Sequence, residues 1–268
     1  MPGPYKVGRV NDPLAHVAEL PGVADAVTDA RSAVDRLLGH RILRRRSADV
    51  STESALRGAR ASALLEGTDV ALEEFAGTRD PVAQGALRVS AELGALTSTW
   101  RQAPRQVLAR LHAVAAADVV PRAELGRPRS TGAAADPLKL GPVPGPEEVA
   151  ARLEALVGLL TAPTKAPAIV VGAVVHGELQ ALRPFGWGDG IVARAAERLT
   201  LVERGLDPKS LIAPEVGHAE LAAAYGEALR GYLTGTPEGV AGWVRHCGDA
   251  VTAAARDSLA ICEAYLRG

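Results

Sequence analysis

Apolar residues recur at three- and four-residue intervals over most of the chain, the spacing of helices that bury one face. Val23, Val27, Ala30, Val34 and Leu37 or Leu38 follow it over 22–43. A helix is expected over 51–67, opened by Ser51-Thr52-Glu53 with a hydroxyl cap and stopped by Gly67. Asp80-Pro81 opens another that extends toward Trp100, and 104–120 carries Val107, Leu108, Leu111 and Val114 on one side. Gly145-Pro146-Glu147-Glu148 starts a further helix, with Val149, Leu153, Leu156, Leu159 and Leu160 at core spacing. Residues 168–175 (AIVVGAVV) are apolar all round, which suits a helix buried on every side. Beyond them, 191–204 runs to Gly205 as a C-cap, 218–233 forms another helix, and 236–267 forms one or two. The predicted fold class is mostly α.

The pattern fails in three places. Residues 1–20 are punctuated by Pro and Gly and predict an irregular arm. Residues 122–146 are rich in Pro, Gly and Arg and predict a long loop or hairpin. The third break, within VHGELQALRPFGWGDGIVAR (175–194), organises the rest. Pro184 ends one helix, three glycines in five positions permit a tight loop, and a new helix starts with unpaired N–H groups. Such an N-terminus is a ready cradle for an anion. An ordinary helix–loop–helix turn explains the same residues more simply.

The stretch resembles the core motif of the Fic (Fido) family, His-Pro-Phe-x-(Asp/Glu)-Gly-Asn-Gly-Arg-x-x-Arg. Here it reads Arg183-Pro184-Phe185-Gly186-Trp187-Gly188-Asp189-Gly190-Ile191-Val192-Ala193-Arg194. Pro-Phe, both motif glycines and the last arginine match; Arg183 stands at the catalytic histidine, Trp187 at the metal-binding acid, Asp189 at the asparagine and Ile191 at the first arginine. His176 sits where the family tends to place a histidine, seven residues before the catalytic one. Ser62-Ala-Leu-Leu-Glu66-Gly67 resembles the family's inhibitory helix, (Ser/Thr)-x-x-x-Glu-(Gly/Asn), whose glutamate pairs with the last motif arginine and obstructs ATP. Gly126-Arg-Pro-Arg129 resembles the element before the flap that holds a target peptide, although Pro137, Pro142 and Pro144 limit strand pairing there. Tyr225, Leu229, Gly235 and Trp243 resemble the C-terminal part of the domain. The resemblance implies a Fic-like helical bundle with a loop or small β-hairpin flap. Its expected division is an N-terminal arm and helical extension (1–46), a Fic-like domain (47–256) and a C-terminal helix end (257–268). The Fic-like part would contain the inhibitory helix 51–67, the flap 126–145 and the core motif 183–194.

The family moves AMP from ATP to a protein hydroxyl, and that chemistry needs a base, a metal-binding oxygen and cationic clamps on phosphate. A guanidinium stays protonated, so Arg183 cannot be the base; Trp187 offers Mg²⁺ no oxygen; Asp189 would repel phosphate; Ile191 removes a clamp. The expected function is a divergent Fic-fold binding or regulatory pseudoenzyme that lacks Mg²⁺-dependent AMP transfer and holds an anionic ligand in the old nucleotide cleft. The alternative is an active enzyme of the family: a residual nucleotidyl or phosphoryl transferase, or new chemistry using Glu66 with Arg183 or Arg194. Candidate catalytic residues are Glu66 and Arg183, and candidate ligand-binding residues are Arg183, Gly188, Asp189, Gly190 and Arg194. Glu66 and Arg194 form an inhibitory or structural pair, and the two acids and two arginines could also pair off as a buried ionic cluster.

No cofactor and no metal are expected, ATP and Mg²⁺ entering only under the alternative. Net charge is −1, so nothing global suggests nucleic acid or a membrane; the expected partner is an anionic small molecule or a protein. The basic run HRILRRR (40–46) has no interleaved aromatics and suits a solvated face. Hydrophobic residues make up 47% and aromatics 3%, which suits closely packed helices built from Ala, Leu and Val. Cys247 and Cys262 lack CxxC spacing, so a structural metal or disulfide framework is unsupported and buried reduced thiols are expected. With no signal pattern at the N-terminus, the expected location is cytoplasmic.

Overall fold

The computed structural model describes residues 12–267, and among these it holds twelve helices and no strand. The irregular arm lies largely outside the described residues; its end forms α1 (Pro13–Ala18), capped by the Asp12 carboxylate on the Ala15 amide. The extension is α2 (Val23–Leu38), and its Val23, Ala30, Val34 and Leu37 are buried.

The helix expected over 51–67 is α3 (Leu43–Leu65), which starts earlier and bends at Arg46. Ser51 therefore does not cap it: the Ser51 hydroxyl donates to the Ser210 carbonyl instead. A long-range partner removed the need for a local one. After α4 (Leu72–Phe75), the Asp80 carboxylate caps α5 (Pro81–Trp100), as Asp-Pro predicted. The next helix, α6 (Pro104–Ala115), ends before Val120, and α7 is Pro146–Thr161.

The central pair is α8 (Ala168–Leu182) and α9 (Asp189–Glu203). Every described face of α8 packs against protein, which accounts for its unbroken apolar run. The segment expected as one helix over 218–233 is two, α10 (Pro214–Glu220) and α11 (Ala222–Leu233), separated at Leu221. The last helix, α12 (Pro237–Arg267), is continuous, so the division expected at 256 falls inside an unbroken element.

The larger hydrophobic cluster surrounds α8 and α9, with Trp100, Leu108, Leu111 and Trp243 among its fully buried side chains. A smaller one joins α2 and the start of α3 to α12 through Val34, Leu37, Val50, Val251 and Ile261. Both cysteines are free and buried. No helix among the described residues is long and apolar enough to cross a membrane.

Candidate functional site

The site is the α8–α9 turn, roofed by the loop that follows α6 and walled by the end of α3. Helix α8 stops at Leu182 because Arg183 adopts left-handed geometry, φ 40° and ψ 61°, one residue before Pro184. Gly186 and Gly188 also take positive φ, and α9 begins at Asp189, two residues earlier than expected.

Asp189 turns one carboxylate oxygen back onto its own loop. Its Oδ1 accepts the Phe185 amide at 2.9 Å, Oδ2 has no partner, and the carboxyl is buried. Burial pushes its pKa up to about 7, although amides of Phe185 and Gly186 work against that rise. The carboxylate at the asparagine position thus ties the loop back on itself.

Phe185 is held from the other side. The His112 ring stacks on it with centroids 4.3 Å apart and planes within 6°. His112 Nδ1 accepts the Gly126 amide at 2.9 Å, and burial lowers the ring's pKa to about 4, so it is neutral. The sequence assigned His112 nothing; the structure makes it a packing histidine under the motif.

The roof needs no strands. Loop amides of Arg129 and Ala135 donate to the carbonyls of Pro184 and Gly186, each at 2.8 Å. The Arg129 guanidinium donates to Arg183 O at 2.9 Å, Leu182 O at 3.1 Å and Pro144 O at 2.7 Å. One cation thereby satisfies the open carbonyls at the end of α8 and pins both ends of the loop.

Arg183 reaches up into that loop. Its Nη1 lies 3.1 Å from Asp136 Oδ1, and Nη2 donates to Gly141 O at 2.6 Å. The expected pairing of two acids with two arginines is corrected here: Arg183 pairs with Asp136, not Asp189. Burial works to raise the Asp136 carboxyl, but the Leu140 and Gly141 amides and Arg183 hold it below the ordinary carboxylate range.

The other pair forms as expected. Arg194 Nη2 donates to Glu66 Oε1 at 2.7 Å, and the guanidinium also reaches Ser62 Oγ and Ser62 O, both at 3.0 Å, and Tyr225 Oη at 3.3 Å. Glu66 lies against the first turn of α9 so closely that a Cβ on Gly190 would sit 2.0 Å from Oε1. A side chain at 190 would therefore force the Glu66 carboxylate off its place against α9.

All six candidate residues converge. Glu66, Arg183, Gly188, Asp189 and Gly190 line one narrow cavity, and Arg194 lies beneath it, fully buried. Beside it opens a cleft of about 280 Å³ lined by Glu66, Val82, Pro137, Trp187, Gly188 and Ile191. Sequence reasoning missed Asp136; its only signal was an acid within a Pro- and Gly-rich loop.

Neither protein-family models nor curated proteins match this sequence. Solved structures do match. A Fic family protein from Desulfovibrio desulfuricans G20 superposes with TM-score 0.71 at 17% identity, over 88% of this chain and 74% of that one. Fic-1 of C. elegans, residues 134–508, superposes with TM-score 0.69 at 18% identity, over 94% of this chain and 75% of that one. The chain has the Fic fold.

Within the Fic frame the residues do not fit Mg²⁺ and ATP. The acid position presents the Trp187 indole, and the asparagine position holds a carboxyl folded onto the Phe185 amide. Glu66 lies against the first turn of α9, the Arg194 guanidinium is engaged by Ser62, Glu66 and Tyr225, and the terminal nitrogens of Arg183 are engaged by Asp136 and Gly141.

Proposed function

We propose that this Fic-fold protein does not perform Mg²⁺-dependent AMP transfer and acts as a binding or regulatory pseudoenzyme. The observation that carries the reading is Arg183. It occupies the base position with a group that stays charged at any ordinary pH, and it spends that charge on Asp136 and the loop carbonyls. Loss of a general base alone typically costs about 10²–10⁴ in rate.

The cleft's ligand is an anionic small molecule that competes with the protein's own carboxylate. Glu66 already sits between the first turn of α9 and Arg194, so an incoming anion must displace it. Two assays test this. Wild type and Glu66→Gly are incubated with labelled ATP, Mg²⁺ and cell lysate; the expected result is no labelling by either. Labelling that disappears in Arg183→Ala would overturn the pseudoenzyme reading. A thermal-shift screen of nucleotides, sugar phosphates and carboxylates should stabilise Glu66→Gly more than wild type, with the effect lost in Glu66→Gly/Arg194→Ala. No response in any variant would sink the anion-binding reading and leave Glu66–Arg194 a structural pair.

A further inference from the structure

Behind the α8–α9 turn, outside the cleft, four metal-ligating side chains meet in the core. His176 comes from α8, Glu197 from α9, His218 from α10 and Cys247 from α12. All four are buried, and one donor atom from each lies within 4.8 Å of the others.

The carboxylate is central. Glu197 Oε2 lies 2.6 Å from His176 Nδ1 and 2.8 Å from His218 Nε2. Among the described residues its ion pairs are with these two imidazoles alone, so no Arg or Lys balances it directly. A buried carboxylate needs a counter-charge.

The outer face of each ring is already engaged. His176 Nε2 lies 2.8 Å from the Tyr225 hydroxyl, and His218 Nδ1 lies 3.1 Å from His246 Nε2. Metal-bound histidines nearly always hydrogen-bond through the second nitrogen, which fixes the ring and leaves the inner nitrogen to the ion; here a tyrosine hydroxyl and a third imidazole stand where a carboxylate, carbonyl or water is usual. Trp243 packs across both rings, with centroids 5.0 Å from His176 and 6.0 Å from His218, and seals the cluster from water.

We propose that His176 Nδ1, Glu197 Oε2, His218 Nε2 and Cys247 Sγ form a structural zinc site that clamps α8, α9, α10 and α12 together. One thiolate, one carboxylate and two neutral imidazoles sum to a charge that a divalent ion cancels. The mixed N, O and S donor set suits zinc rather than Mg²⁺ or Ca²⁺, and four protein ligands leave no open position, as in structural sites. Zinc–ligand bonds of about 2.0–2.3 Å set donors about 3.3–3.8 Å apart. The two carboxylate–imidazole contacts therefore open slightly on binding, and the widest separation closes. Binding releases the thiol proton and moves the proton of each neutral imidazole from its inner to its outer nitrogen, so both rings stay neutral.

The full chain, carrying no histidine tag, is produced with zinc supplied and passed through chelator. Elemental analysis should find about one zinc per chain, retained until the protein is unfolded. Refolding with Co²⁺ should give intense tetrahedral visible bands and a near-ultraviolet thiolate-to-cobalt charge-transfer band. Cys247→Ser should lose the charge-transfer band; Cys262→Ser should keep it. Substoichiometric zinc with no cobalt spectrum would show a proton-shared polar network only and overturn the proposal. So would a thiolate band that survives Cys247→Ser. The wild-type cobalt spectrum decides the matter even if the Cys247 variant fails to fold.

Discussion

Replacing Glu66 with glutamine removes one charge and leaves the shape. Arg194 is wholly buried and Glu66 is 9% exposed, so the perturbation leaves a buried cation without its counter-charge. Breaking one partner of a buried pair costs about 3–5 kcal/mol. Arg194 keeps its hydrogen bonds to Ser62 Oγ, Ser62 O and Tyr225 Oη, and water can enter beside residue 66, so the low end, about 3 kcal/mol, is expected. At about 2–4 °C per kcal/mol for a chain of this size class, the midpoint should fall by roughly 6–12 °C. Urea unfolding monitored by far-ultraviolet dichroism measures the loss directly. The reverse change, Arg194→Met, leaves the partly exposed carboxylate behind and should cost less. The double variant should recover part of the loss, giving a coupling energy of about 1–3 kcal/mol. Glu66→Gln within about 0.5 kcal/mol of wild type, with no coupling in the cycle, would refute the view that this pair braces the cleft.

Three further outcomes are expected. Burial raises the Asp189 pKa to about 7 from an ordinary 3.8, so the folded state holds a proton that the unfolded chain has lost between those values, and stability falls as pH rises from about 4 to 7. Asp189→Asn imitates the protonated form and keeps an acceptor for the Phe185 amide; urea unfolding should show a flatter pH profile and a gain on the order of 2–4 kcal/mol at pH 8. Gly190→Ala places a Cβ against Glu66 Oε1 and should destabilise by about 2–3 kcal/mol, a loss that an added Glu66→Ala largely removes in the same denaturation assay. Arg183→Ala releases Asp136 and Gly141, so amide hydrogen exchange over 131–142 should quicken by about tenfold or more while exchange in α8 stays slow.

The helices announced themselves where one face is apolar and a cap stands in sequence. Asp80-Pro81 predicted the start of α5 correctly because its cap partner is three residues away. Ser51 misled because its partner, Ser210, is 159 positions away. The same distinction governs the site. Glu66 and Arg194 were legible as a pair through two separate motifs, and their contact forms at 2.7 Å. Asp136 was not, because nothing local reveals that a loop carboxylate will meet Arg183 across the turn. The direction taken by Asp189 was equally hidden: the letter D shows a charge, whereas burial and one amide decide whether it is displayed. The cluster of His176, Glu197, His218 and Cys247 draws one residue from each of four helices, with 21 positions between the first two. No spacing rule for adjacent ligands detects such a set.

Helix α2 finds its resting place against α12, where Val34 and Leu37 meet Val251 and Ile261. A ribosome delivers these two surfaces far apart in time. The part of the α2 stripe that meets α12 must wait uncovered while more than two hundred residues are added. The order of synthesis thus makes α12 the element that covers the stripe of α2.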